Sequence, residues 1–449
     1  MMIKPTYRVL LSFFCSLLCL ALPAELLAQA AKTSFKFDFG SGKAALGYQK
    51  VNLNDTFNDA KGYGFDFGSK VIAVILDNKK LLTSDFVTSN KPFYFSVNVP
   101  EGNYKVTLTL GDIHGSSNTT VRAESRRLML EKVKTDNGAT KKVSFIVNIR
   151  KPDISTGGKI ALKPREFGKY DWDNKLSLEF SDTRPCVDAI EIEKVDDQVT
   201  VYLAGNSTVV DQDDEPWCSW GQMITRFFKP GVAIANYAES GLSLGSFLNS
   251  HRLDKILSII KPNDYLFIEF GHNDQKEKGP EDGAYKSYTD RFKLFISKIR
   301  TKNAIPVIVT STSRRAFNDS GKVVNTLGDY PDAARKIAKE QNVPLIDLNV
   351  MTAKFYEALG DEGSKKAFVW YPANSFPNQS KALADNTHFN SYGAYEIAKC
   401  IIEGIRSNHL NMERYIIDAS PFDPSHPDPA DTFSLPASPK NSAIKPDGN

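Results

Sequence analysis

The sequence predicts an α/β domain built on a parallel sheet and preceded by an all-β sandwich, and three observations carry that reading. Between Lys32 and Lys194 apolar residues recur at every second position in short runs: Phe93, Phe95, Val97, Val99; Tyr104, Val106, Leu108, Leu110; Val143, Phe145, Val147, Ile149; Leu176, Leu178, Phe180. Period two, interrupted by Gly, Asn, Asp and Pro, is the pattern of antiparallel strands with one buried and one wet face. After Asp197 the period changes, and apolar strand-like runs alternate with helical segments, as in βαβ units whose strands pair in parallel. The length of 449 residues exceeds one ordinary core and predicts two or three domains.

Taken in order, the first thirty residues carry Lys4 and Arg8, an apolar run from Val9 to Leu22, and Ala28-Gln29-Ala30 as a small-residue cleavage site. This reads as a signal peptide over 1–30, and hence as export to the periplasm or the exterior. A retained anchor is the weaker alternative, because the run is shorter than the ~20 residues a spanning helix needs. Cys15 and Cys19 follow Phe14 and Leu18 and not the small residue a lipoprotein signal requires, and no other stretch could span a bilayer. The sandwich is expected over 32–197 and the α/β domain over 198–415. Within the latter, strands are expected at 201–204, 232–235, 266–270, 305–310 and 344–348, and helices at 244–260, 285–300, 331–340 and 392–407. A Pro-rich tail occupies 416–449; from Ser420 onward seven prolines mix with Asp and Ser, which predicts a segment either disordered or draped over the α/β domain.

The net charge of +3, with both signs mixed along the chain, gives no case for nucleic acid. Removal of the leader leaves Cys186, Cys218 and Cys400, an odd and widely spaced set that is no disulfide framework. Buried free thiols are the favoured reading, with a single bridge left open. No His-x-x-x-His or Cys-x-x-Cys pair occurs after the leader. Asp211, Asp213, Asp214 and Glu215 read as a solvated acidic loop in preference to a calcium site, because the twelve-residue calcium-loop pattern is missing. No metal or other cofactor is expected.

The chemistry is concentrated in four short segments: Gly205-Asn206-Ser207-Thr208, Glu239-Ser240-Gly241, Gly271-His272-Asn273-Asp274 and Asp385-Asn386-Thr387-His388. The first three each follow an expected strand, at the sheet edge where open α/β folds bind ligands. A serine hydroxyl needs a base within reach to act as a nucleophile. Of the six histidines, His388 suits best, since Asp385 three residues earlier could hold its imidazole in one tautomer. The competing reading of Asp385 is a cap for the helix that follows; that of Ser207 is a turn serine at a strand end.

The four segments resemble those of the SGNH, or GDSL-type, hydrolases, with Ser207, Gly241, Asn273 and His388 in the four named places. The stretches 204–208, 270–274, 385–389 and 326–332 narrow the resemblance to the rhamnogalacturonan acetylesterase family over roughly residues 199 to 415. The resemblance implies a flavodoxin-like α/β fold and a catalytic set of Ser207, Asp385 and His388. It also implies an oxyanion hole from the backbone N–H groups of Ser207 and Gly241 and the side-chain amide of Asn273. Asn-Asp is also a turn dipeptide, so Asn273 could be a turn-maker. Where the family carries Gly-Asp-Ser, this chain has Gly205-Asn206-Ser207, an amide in place of a carboxylate beside the nucleophile. Asn206-Ser207-Thr208 is also a glycosylation sequon at the site itself, which points to a bacterial source. By analogy with similar enzymes the sandwich is of the galactose-binding type.

Trp217, Trp220, Trp370 and Tyr371 could offer flat faces to sugar rings or belong to the core. Arg314 and Arg315 could fork a uronate carboxylate or stand solvated. His272 could line the pocket or pack beneath the turn. The resemblance implies removal of O-acetyl groups from pectic rhamnogalacturonan, with an acetylated polysaccharide or oligosaccharide as partner. An acetylxylan or broad acetylesterase is the second reading, and a non-catalytic glycan-binding protein the third. The sequence carries no signal for the oligomeric state. The sandwich is expected to capture polymer or to support the catalytic domain, and the short junction at 195–198 favours support.

Overall fold

A computed structural model of the chain describes residues 1–2, 32–76, 80–417 and 420–447. The expected leader falls, apart from Met1 and Met2, outside the described residues. From Lys32 to Val195 the alternating runs fold into two facing sheets. One has seven strands, ordered Ala139–Ile149, Gly102–Asp112, Cys186–Val195, Ser34–Phe39 and Gln49–Val51, with Asp85–Thr88 and Ile72–Ile75 attached to the side of Cys186–Val195. The other has five, ordered Tyr63–Asp66, Phe93–Asn98, Lys175–Arg184, Ser117–Ala123 and Arg127–Thr135. Phe37, Phe95, Val97, Leu108, Leu178 and Ile190 fill the space between them. Pairing is antiparallel except between Ser34–Phe39 and Gln49–Val51, which run parallel.

The expectation of one wet face per sheet fails for the five-stranded sheet. Its outward polar positions Arg122, Ser177 and Glu179 are buried. Arg122 pairs with Glu179 at 2.7 Å and the Tyr94 hydroxyl donates to the same carboxylate at 3.0 Å. The C-terminal segment lies across this face: Ser438 Oγ donates to Glu179, and Arg122 donates to the carbonyl of Pro436. The tail is therefore draped, and over the sandwich as well as the α/β domain. Alternation shows that the outer positions are polar, and a polar face that finds charged and hydrogen-bonding partners can be buried as readily as an apolar one.

The second half carries five parallel strands, β1 (Val199–Ala204), β2 (Val232–Asn236), β3 (Tyr265–Phe270), β4 (Ile305–Thr310) and β5 (Leu345–Ile346), in the order β2-β1-β3-β4-β5. This is the flavodoxin-like order, whose topological switch point lies where β1 separates β2 from β3. One face of the sheet packs Leu203, Phe267, Val309 and Phe355; the other packs Ala235, Ile268, Phe247 and Phe295.

The helices differ from expectation in detail. The one expected over 244–260 is two, α1 (Leu244–Asn249) and α2 (Arg252–Ile259), because His251 takes a left-handed φ of 60° between them. Regular helix begins only at α3 (Thr289–Arg300), since Tyr285 and Lys286 are non-helical. α4 (Tyr330–Glu340) and α6 (Ser391–Ser407) match expectation closely, while α5 (Leu348–Ser364) was not foreseen. Between α5 and α6 an antiparallel pair, β6 (Phe368–Tyr371) and β7 (Leu383–Phe389), stands apart from the main sheet.

The acidic segment after Ser207 is neither a solvated loop nor a calcium site. Asp211 is fully buried against Arg127 (3.4 Å) and Arg150 (3.4 Å), Asp213 meets Lys169 at 3.0 Å, and Glu215 meets Arg126 at 2.6 Å. All four cations belong to the sandwich half, so this run is the charged seam between the halves. Leu128 of the sandwich also joins the α/β core. Cys186, Cys218 and Cys400 are free and buried.

Candidate active site

The three segments that follow β1, β2 and β3 converge at the switch point, and β7 brings the fourth to meet them. Ser207 Oγ lies 2.9 Å from His388 Nε2, and His388 Nδ1 lies 2.9 Å from Asp385 Oδ2. The second carboxylate oxygen, Oδ1, accepts the backbone N–H of Thr387 (2.7 Å) and of His388 (2.9 Å). Burial raises the Asp385 pKa, but the hydrogen bond and charge of His388 and these two N–H groups outweigh it and hold the carboxyl well below its usual range. An ionised Asp385 fixes the proton on Nδ1 and leaves Nε2 as acceptor for the Ser207 hydroxyl. The helix that follows is capped by Asn390, whose side chain accepts from Gly393 N at 3.1 Å, so Asp385 is not its cap. Asp385 lies on the strand β7.

Trp217 stands edge-on to His388, ring centroids 5.7 Å apart and planes at 87°, and is buried. It forms one wall of the base. Trp220 is core, its indole N–H given to Glu269 at 2.5 Å. Burial pushes the Glu269 carboxyl up to about 7, against the opposing bonds from Trp220 and Thr208. The amide at Asn206 keeps the acceptor role a carboxylate would fill: its Oδ1 takes the N–H of Thr208 at 3.1 Å.

On the other side of Ser207 the glycine block shows close approach. Gly241 has φ +77°, a conformation other residues adopt only with strain. Gly271 has φ +144°, and a Cβ there would lie 2.3 Å from Ser311 Oγ. Among the described residues no acceptor takes the backbone N–H of Ser207 or Gly241. The Asn273 amide is oriented by donating to the Leu242 carbonyl (3.0 Å) and accepting from Lys276 Nζ (3.1 Å), with its second hydrogen uncommitted to any described residue. Among the described residues the N–H groups of Ser207 and Gly241 and one Asn273 amide hydrogen are thus uncommitted donors, the kind of group that can stabilise a developing oxyanion.

The remaining candidates divide. His272 is buried beneath the turn, and burial, then the charges of Arg314 and His388, push its pKa well down, so it is neutral. Arg314 is half-buried and reaches Thr326 at 3.4 Å. Arg315 turns away from the cleft to Ser364 (3.0 Å), Asn386 (3.1 Å) and Asp361, so the two arginines do not form one fork. Trp370 donates to Asn386 at 3.1 Å, with the Lys365 ammonium 4.8 Å from its ring. Tyr371 packs on Phe376.

Reasoning from sequence missed the sandwich's contribution. Lys169 Nζ sits 3.1 Å from Glu239 Oε2, Arg165 Nε sits 3.3 Å from Glu239 Oε1, and Lys163 donates to the Ser240 carbonyl at 2.6 Å. All three come from the loop at 150–174, and its length without a regular element of more than one short turn was the available signal. The C-terminal segment also reaches the site, with Lys445 Nζ 3.2 Å from Asp385 Oδ2 and the Ser442 carbonyl accepting from the Trp217 indole at 2.9 Å.

Residues 203–395 match the GDSL-like Lipase/Acylhydrolase family, and residues 35–156 match the Beta-agarase/YXIM esterase-like, galactose-binding domain-like family. Rhamnogalacturonan acetylesterase RhgT of Bacillus subtilis (strain 168) is 43% identical over 221 residues, which cover 49% of this chain and 94% of that protein. The uncharacterized esterase YxiM of the same organism is 26% identical over 388 residues, 83% of this chain and 90% of its own length. The solved structure of YxiM aligns over 84% of this chain and 99% of its own, with 24% identity and a TM-score of 0.44.

Proposed function

The chain belongs to the GDSL-like lipase/acylhydrolase family, with a galactose-binding-like domain in front, and is a carboxylic ester hydrolase; from that premise we propose an exported serine esterase that removes O-acetyl groups from pectic rhamnogalacturonan. The observation that carries the chemistry is the unbroken relay from Ser207 Oγ through His388 to Asp385, at 2.9 Å for each step. Ser207 Oγ attacks the acetyl carbonyl while its proton passes to His388 Nε2. The C–O bond to the sugar then breaks as the same proton moves to the leaving sugar oxygen. Water, deprotonated by His388, attacks the acetyl-enzyme and releases acetate, restoring Ser207. The N–H groups of Ser207 and Gly241 and the Asn273 amide hold the oxyanion at both stages.

The substrate class rests on RhgT, which is named for rhamnogalacturonan and is 43% identical. Export rests on the leader-like residues 1–30. Acetate release from acetylated rhamnogalacturonan and from acetylated xylan, with Ser207→Ala as control, tests the reading. Faster release from rhamnogalacturonan, abolished in the variant, is the expected result. Preference for xylan would reassign the substrate, and activity surviving in Ser207→Ala would reject the mechanism.

A further inference from the structure

Beside the oxyanion block the sandwich loop presents two cations to the cleft. Lys163 Nζ, already bonded to the Ser240 carbonyl, lies 3.0 Å from the point where a Cβ on Gly241 would stand. Arg165 holds Glu239 through Nε. A carboxylate lies against both of them: Asp447 Oδ2 is 3.8 Å from Lys163 Nζ and 3.7 Å from Arg165 Nη1, and the Asp447 Cβ is itself 3.0 Å from the Gly241 Cβ position. Among the described residues Asp447 is the only carboxylate paired with the Lys163 ammonium.

Asp447 is a loose occupant. Both contacts exceed hydrogen-bond length, its side chain is 58% exposed, and exposed pairs of this kind contribute little. The segment is held at Ser442 by Trp217, at Asn441 by its bridge to Glu215, and at Lys445 by Asp385 at 3.2 Å, with Pro446 buried. The exposed Asp447 side chain can therefore swing off the two cations while the rest of the segment stays in place. The cleft they share has a volume of about 560 Å³ and is lined by Lys163, Arg165, Asp214, Ile444, Lys445 and Asp447.

We propose that Lys163 and Arg165 form a subsite for the carboxylate of a uronic acid residue of the acetylated chain, and that Asp447 fills it as an internal stand-in until substrate displaces it. The inference rests on the reading of the enzyme as a carbohydrate deacetylase and adds the group that selects an acidic chain. Substrate specificity is then shared between the halves: the α/β domain cleaves, and the sandwich reads charge.

The full chain is assayed on an acetylated galacturonate-containing oligosaccharide and on the same oligosaccharide with its carboxyl groups reduced to alcohols. Lys163→Gln and Arg165→Gln should each lower the ratio of kcat/KM on the acidic over the reduced substrate by about tenfold, the factor of one charge-assisted contact. Asp447→Asn should raise the same ratio, through KM, which guards against a variant that fails merely because it misfolds. A ratio unmoved in all three overturns the subsite while leaving the esterase reading intact. Independently, free galacturonate should inhibit hydrolysis of 4-nitrophenyl acetate more strongly than galactose does, and Lys163→Gln should erase the difference. If the acidic oligosaccharide is not deacetylated but this inhibition holds, the substrate reading fails and the subsite stands; if galacturonate and galactose inhibit alike, the subsite is refuted.

Discussion

The two walls around Ser207 that the proposed mechanism uses, one of the base and one of the oxyanion, are held by different means. The wall of the base is furnished almost wholly from the α/β half: Asp385 and His388 share one strand, and the N–H groups that charge Asp385 come from Thr387 and His388 themselves. Trp217, from the same half, packs on the imidazole. The oxyanion wall is held from outside. Glu239, two residues before Gly241, is pinned by Lys169 and Arg165, and Ser240 by Lys163, all from the sandwich. The orientation of the base is set by local bonds within four residues of chain; the oxyanion wall instead inherits its position from a domain interface. Each wall can therefore be broken without the other.

The largest effect belongs to the base wall. On the scale of other serine hydrolases, Ser207→Ala or His388→Ala should cost about 10⁶-fold in kcat, and Asp385→Ala about 10⁴-fold, because the aspartate orients and does not carry the proton. Turnover of a chromogenic acetyl ester, with circular dichroism to verify folding, measures this. Comparable losses for His388 and for Asp385 would be tolerable; near-full activity in either would remove the residue from the relay.

On the oxyanion wall, Asn273→Ala should lower kcat by about 10²- to 10³-fold with little change in KM, since the amide would bind the oxyanion more tightly than the ground-state carbonyl. A change confined to KM would make Asn273 a binding residue.

Lys169→Met separates the walls most directly. Lys169 is buried between Glu239 and Asp213, and burial of its charge is outweighed by these two carboxylates, which raise its pKa. Its removal leaves Asp213 without its cation and the buried Glu239 with Arg165 alone, a loss of about 3 kcal/mol in stability. The expected outcome is a lower melting temperature and a lower kcat, with the fold-loss from Asp385→Ala the same in the Lys169→Met background as in the parent. A different fold-loss would mean that the walls are coupled.

What was legible in the sequence follows the same division. The parallel strands, the four segments after them and the pairing of Asp385 with His388 are local signals: apolar runs, glycines at tight turns, and two polar residues three apart. α5 is equally local in pattern, since Leu348, Met351, Phe355 and Leu359 recur at helical spacing, but its first turn overlaps the apolar run expected as a strand at 344–348. The break at His251 depends on a single left-handed residue inside a pattern that otherwise continues. The pairings of Lys163 with Ser240 and Lys169 with Glu239 join residues about seventy positions apart, across two domains, and no periodicity encodes such a contact. The acidic run 211–215 differs from expectation for that reason: its charges are visible in the sequence and its arginine and lysine partners, from the other domain, are not.

The smallest effect on the chemistry tests whether the sandwich matters to the cleft only through its loop. Asp188 lies on the strand Cys186–Val195, fully buried, and neither of its carboxyl oxygens has a hydrogen-bond partner among the described residues. Burial first, and then the charges of Asp112, Asp38 and Asp85, push its pKa up to about 9 from 3.8. A raised carboxyl pKa means that the folded chain binds a proton the unfolded chain has released. Its contribution to stability is therefore complete below pH 3.8 and declines as pH rises, until the folded group itself ionises near pH 9. Asp188→Asn removes the titration while keeping the shape. Relative to the parent, its melting temperature should gain progressively from pH 4 to pH 9, with kcat on a small acetyl ester unaltered wherever both proteins are folded. A gap independent of pH would show that Asp188 is not held protonated, and a change in kcat would show that the sandwich core reaches the oxyanion wall by a route other than Lys163, Arg165 and Lys169.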